Sequence, residues 1–71
     1  MFIVLEIIKD NGELTTNTDI FTEFLDARIK YHEILAEAIK STHERHGASL
    51  LSEAGSVIEK DSFVREVEVN E

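Results

Sequence analysis

The stretch IFTEFLDARIKYHEILAEAI, residues 20–39, decides the fold, because its apolar residues return at helical spacing. At 100° per residue, Ile20, Phe24, Ala27, Tyr31, Ile34, Leu35 and Ala38 gather on one arc. Glu23, Asp26, Lys30, Glu33, Glu37 and Lys40 gather on another, so the segment reads as an amphipathic helix. A second apolar row, Leu25, Ile29, His32 and Ala36, runs along its flank at steps of four, three and four, with Phe21 and Ile39 between the rows. One stripe is enough to cover a small sheet. The second either lies deep against a twisted sheet or meets a partner. Thr18 or Thr22 is the expected N-cap, and the helix is expected to end between Lys40 and His43.

Working outward, residues 2–8 are rich in β-branched side chains and close on the turn signal Asp10-Asn11-Gly12, which reads as a first strand. Alternation sets Ile3, Leu5 and Ile7 on the face expected beneath the helix, and Phe2, Val4, Glu6 and Ile8 on the other. Residues 13–18 are polar and threonine-rich and read as a loop into the helix. Residues 47–52 form a short strand, Glu53-Ala54-Gly55-Ser56 a glycine-centred turn, and residues 57–69 the returning strand. In that strand Phe63, Val67 and Val69 share one face, and Glu59, Lys60 and Asp61 mark a bulge or bend.

The expectation is an α+β fold: a β-α-β-β domain with a three-stranded sheet and one long helix on one face. The favoured order inserts the last strand between the first two, making every neighbouring pair antiparallel. With the last strand on the edge, the first two are parallel through a right-handed crossover.

Seventy-one residues make a single domain, 1–71, which buries only about 60% of the surface its unfolded chain exposes. No cysteine is present, so neither a disulfide nor a thiolate metal site forms, and a reducing cytoplasmic location fits. The apolar run at residues 2–8 is interrupted by Glu6 and followed by Lys9 and Asp10, and reads as neither signal peptide nor membrane span. Fifteen acids against seven bases give a net charge of −8, which disfavours nucleic acid as a partner.

The segment Lys30-Tyr31-His32-Glu33-Ile34-Leu35-Ala36 is followed by His46 and Ala48, Leu50-Leu51, Glu53-x-Gly55 and Val57-Ile58-x-Lys60. Across residues 27–68 this pattern resembles small uncharacterised proteins of phage and prophage-like regions of Firmicutes. The resemblance implies a β-α-β-β fold and a mobile-element origin, and no activity. The chain departs from the pattern between Ile39 and Arg45, where Lys40, His43, Glu44 and Arg45 replace a small apolar run.

No catalytic or cofactor constellation stands out. His43, Glu44 and His46 lack the zincin spacing and a fourth ligand, so no metal site is expected. Tyr31 and His32 point about 100° apart on a helix and form no pair. Glu66 and Glu68 share a strand face, as Glu59 and Asp61 do, but so small a chain has little room for a pocket that would tune them. The expected function is therefore a non-enzymatic interaction module without cofactor, homodimeric, with a host or phage protein as a further partner. Its interface is expected at Phe2, Val4, Ile8, Leu25, Ile29 and His32; His32 reads first as a partly buried histidine bonded to a strand carbonyl or a partner, and the alternative is that it makes assembly sensitive to pH between about 5 and 7. The alternative is an acidic inhibitor or nucleic-acid mimic that fills a basic cleft with Glu59, Asp61, Glu66, Glu68 and Glu71.

Overall fold

The computed structural model describes residues 1–64 of the chain. The turn signal after the first strand does more than end it. Asn11 and Gly12 both take positive φ, 51° and 79°, the backbone of a two-residue hairpin turn that matches the right-handed twist of its strands. The chain therefore doubles back at once. Strand β1 (Phe2–Asp10) pairs antiparallel with β2 (Glu13–Phe21), from Asp10 opposite Glu13 to Phe2 opposite Phe21. Helix α1 (Phe24–Lys40) then leads to β3 (Arg45–Ser52) and β4 (Val57–Val64).

The α+β class holds, but the sheet has four strands rather than three, in the order β2-β1-β3-β4 with every neighbouring pair antiparallel. Residues 13–18 are strand, not loop. Threonine is polar, but its branched Cβ suits an extended backbone, and a solvated edge strand needs little apolar content. The extra strand reverses the chain before the helix, so β3 returns antiparallel to β1. The last described strand lies at the edge beside β3 and does not insert between β1 and β3.

Ile20 and Phe21 close β2, so α1 starts at Phe24. Its N-cap is Glu23, which makes no side-chain capping bond, rather than Thr18 or Thr22. The helix ends at Lys40, and the backbone N–H of Ser41 donates to the Ala38 carbonyl at 3.2 Å. The β3–β4 hairpin turns where the glycine at 55 allows it, with φ +88°. The bulge lies one step before the charged triplet: Leu50 faces Glu59 and Leu51 faces Val57, leaving Ile58 as the extra residue.

Ala27, Tyr31, Ile34 and Ala38 are the buried residues of α1, at steps of four, three and four. Beneath them lie Val4, Ala48 and Leu50, with Phe2, Phe21 and Leu35 packed around the cluster. The small side chains at 27 and 48 let the helix approach the sheet closely. Complete burial of Val4 and Leu50 contributes about 1.5–3 kcal/mol each.

The sheet face beneath α1 is the reverse of the expected one. Val4 faces Leu50 and Ile8 faces His46 across the β1–β3 ladder, so Phe2, Val4, Glu6 and Ile8 point to the helix while Ile3, Leu5 and Ile7 point away. A strand apolar on both faces carries no parity signal of its own.

Candidate functional site

On the outward side of α1, Leu25, Ile29, His32, Ala36 and Ile39 follow one another at steps of four, three, four and three. All five are exposed, Leu25 at 67% and Ile29 at 51%. This alternation is the 3.5-residue repeat that forms the seam of paired helices. Leu25, Ile29, His32 and Ala36, flanked by Arg28 and Glu33, line a shallow groove of about 590 Å³. The His32 ring stands edge-on to Tyr31, 5.2 Å between centroids, which ties its base to the buried side of the helix.

The six expected interface residues therefore divide. Leu25, Ile29 and His32 lie together on the seam. Val4 does not belong with them: it is 0% exposed within its own chain, under α1. Phe2 and Ile8 share its face of the sheet, and Phe2 packs edge-on against Phe24 at 5.2 Å. Ile3, Leu5 and Ile7, on the face turned away from the helix, are half-buried, as Phe2 and Ile8 are.

A polar cluster that sequence reasoning did not assemble sits where β1 meets the connection after α1. The buried His46 donates from Nε2 to Glu6 at 2.6 Å, while its Nδ1 is buried without a partner among the described residues. His43 pairs with Asp10 through Nδ1, and the Glu44 backbone N–H donates to the same carboxylate at 3.2 Å. Glu44 in turn accepts from the Asn11 backbone N–H at 2.9 Å, and the two histidine rings meet edge-on at 5.5 Å. Burial pushes the Glu6 carboxyl up, but bonds from His46 and Asn17, with the positive fields of His46 and Lys30, outweigh it and hold it below its usual range. The bond from His43 and the Glu44 N–H likewise lower Asp10.

Each imidazole thus has its own carboxylate. Among the described residues no three His, Asp or Glu side chains are placed to hold a metal ion; the bonds of His43 and Glu44 tie the connection after α1 to the β1–β2 turn, and that of His46 ties β3 to β1. The signal available in the sequence was Glu6 itself, a lone acid in an apolar strand that needs a polar partner once covered.

The acidic surface is partly engaged within the chain. Glu59 accepts from Arg28 at 3.4 Å, and Asp61 accepts from the Ser62 backbone N–H at 2.8 Å. Burial, with the negative charges of Glu59 and Asp61, raises the Tyr31 hydroxyl above its usual range, so it stays protonated. Glu66, Glu68 and Glu71, with Val67 and Val69, lie outside the described residues.

No helix among the described residues is long and apolar enough to cross a membrane. No family model, curated protein or solved structure matches the chain.

Proposed function

We propose that this chain is a non-enzymatic protein–protein interaction module that pairs with a second copy of itself along the outward seam of α1. The observation that carries the reading is the 4-3-4-3 row of exposed side chains, Leu25, Ile29, His32, Ala36 and Ile39, on a helix whose opposite side already serves the core. A buried-face explanation for the second row is used up, since Ala27, Tyr31, Ile34 and Ala38 fill the contact with the sheet. Arg28 and Glu33 flank the row with opposite signs, five residues apart, the spacing of charges that face each other in a parallel pair, although Arg28 also reaches Glu59 of its own chain at 3.4 Å.

On the resemblance across residues 27–68, the module is of phage or mobile-element origin, and its lack of cysteine fits a cytoplasmic location. The reading as an acidic mimic draws less support, because Glu59 is held by Arg28 and Asp61 by a backbone N–H. Solution mass is the test, measured over a concentration range wide enough to catch a weak pair, since so short a seam falls at the small end of interface sizes. A dimer insensitive to salt is expected, and Ile29→Glu is expected to give a folded monomer whose melting temperature, unlike that of the wild type, does not rise with protein concentration. A wild-type monomer at every concentration, or an Ile29→Glu protein of unchanged dimeric mass, overturns the proposal.

A further inference from the structure

The sheet face turned away from α1 has a charge opposite to that of the rest of the molecule. Alternation and register place Ile3, Leu5, Ile7 and Lys9 of β1 on it, beside Leu14, Thr16, Thr18 and Ile20 of β2. On the other side lie Arg45, Gly47, Ser49 and Leu51 of β3, then Lys60, Ser62 and Val64 of β4. Among the described residues, alternation places three cations and no acid on that face. All six acids of the described strands, Glu6, Asp10, Glu13, Asp19, Glu59 and Asp61, alternate onto the helix side.

Lys9 and Arg45 stand directly opposite each other across the β1–β3 ladder, an arrangement that opposes folding. None of Lys9, Arg45 and Lys60 takes part in an ion pair among the described residues. Between them a groove of about 690 Å³ opens over Ile7, Leu14, Gly47 and Ser49, with Asp61 also in its wall, where its backbone carbonyl closes on Gly47. Lys9, Arg45 and Lys60 rim it. From this basic end, the apolar residues Leu5, Ile3 and Leu51 continue along the same face.

We infer that this face binds an extended acidic peptide segment of a partner protein, its carboxylates over Lys9, Arg45 and Lys60 and its apolar side chains over Leu5, Ile3 and Leu51. The six-residue step from Lys9 to Ile3 spans about 20 Å, so the occupant presents roughly six residues. A small free anion would satisfy the basic end and leave the apolar strip bare. A second copy in symmetric contact would set the three cations against themselves. Nucleic acid is disfavoured because no aromatic side chain lies on this face for a base to stack on, Phe2, Phe21 and Phe63 being on the helix side, and because the chain's charge of −8 repels a long polyanion. The inference is independent of the helix seam.

The test is titration of the isotope-labelled full chain with the peptide Glu-Glu-Glu-Val-Leu-Val, followed by amide chemical shifts. Expected are shifts confined to Leu5, Lys9, Gly47, Ser49, Lys60 and their neighbours. Affinity should fall about tenfold or more when the glutamates become glutamines, in Arg45→Gln, and between about 50 and 500 mM salt. Lys9→Glu separates recognition from folding: it replaces a like-charged cross-strand pair with an opposite one, so it should raise the melting temperature while weakening the peptide. Equal binding of the two peptides, shifts centred on α1, or a Lys9→Glu protein that melts lower overturns the inference. So does tighter binding of oligo-deoxythymidylate, or inorganic phosphate reproducing the whole shift pattern.

Discussion

Replacing Gly47 with alanine tests the geometry of the sheet at its tightest point. A Cβ at that position would lie 2.4 Å from the Ser62 Cβ, 2.6 Å from the Asp61 carbonyl oxygen and 2.7 Å from the Ser62 Cα. Carbon atoms in contact sit about 3.5–4.0 Å apart, so each distance must grow by roughly 1 Å. Two of the three atoms are backbone, and no rotamer of Ser62 relieves them. The β3–β4 ladder must therefore open. An N···O separation near 2.9 Å that lengthens by about 1 Å is no longer a hydrogen bond. Losing two or three such bonds at about 1 kcal/mol each costs about 2–3 kcal/mol, in line with the usual cost of overpacking. A chain of this length has a total stability of about 4–11 kcal/mol at 0.05–0.15 kcal/mol per residue, so the loss is a large fraction. At about 4–8 °C per kcal/mol, the melting temperature read by circular dichroism should fall by about 10–20 °C. The contrary effect has a definite size: with φ outside the left-handed region, alanine would otherwise stabilise a strand by about 0.5–1 kcal/mol. A Gly47→Ala protein that melts within about 3 °C of the parent, or above it, refutes the close approach of β3 and β4.

Two further predictions concern the core and its polar edge. Val4→Ala removes two methyl groups from a fully buried site, so it should cost about 2 kcal/mol in chemical denaturation, whereas Leu5→Ala on the open face should cost clearly less; the reverse order would restore the opposite face assignment. The folded-state pKa values of Glu6 and Asp10 are both depressed, so below their unfolded values the unfolded chain binds more protons and stability drops as pH falls through the folded values. The denaturant midpoint should accordingly be level above about pH 5 and decline below it, with a shallower decline in Glu6→Gln; an identical acid limb in that variant would mean the His46 bond contributes nothing. Asp10 is too exposed to add much to that slope.

What the sequence reveals and what it hides have separate physical origins. The core stripe of α1 was legible at Ala27, Tyr31, Ile34 and Ala38, because a 3.6-residue period has no competing explanation over so long a run. The hairpin around Gly55 was legible for the same kind of reason, a turn residue between two β-branched segments. The strand at Glu13–Phe21 was hidden by a hydropathy reading that scores threonine as loop. Asn11-Gly12 was the stronger signal, since a dipeptide that turns a chain in two residues requires a partner strand immediately after it. Missing that strand also misplaced the strand order, because it fixes the direction in which the helix returns the chain. The pairing of Glu6 with His46 spans 40 positions, and neither residue names the other; only the ladder that sets Ile8 opposite His46 brings them together.

The reversal of the two sheet faces changes which residues are left uncovered but keeps the surplus. One helix covers one face, and β1 is apolar on both, so some apolar surface stays open in either arrangement. What the true register adds is charge. With Ile3, Leu5 and Ile7 outward, the open face also carries Lys9, Arg45 and Lys60 and, among the described residues, no acid, and a two-fold contact across it would bring like charges together. The α1 seam has no such conflict, since Arg28 and Glu33 flank it with opposite signs. The proposed self-association therefore falls to the helix and the proposed acidic segment to the sheet. The two surfaces lie on opposite sides of the molecule, so a dimer formed along the helices would leave both cationic faces open to partners.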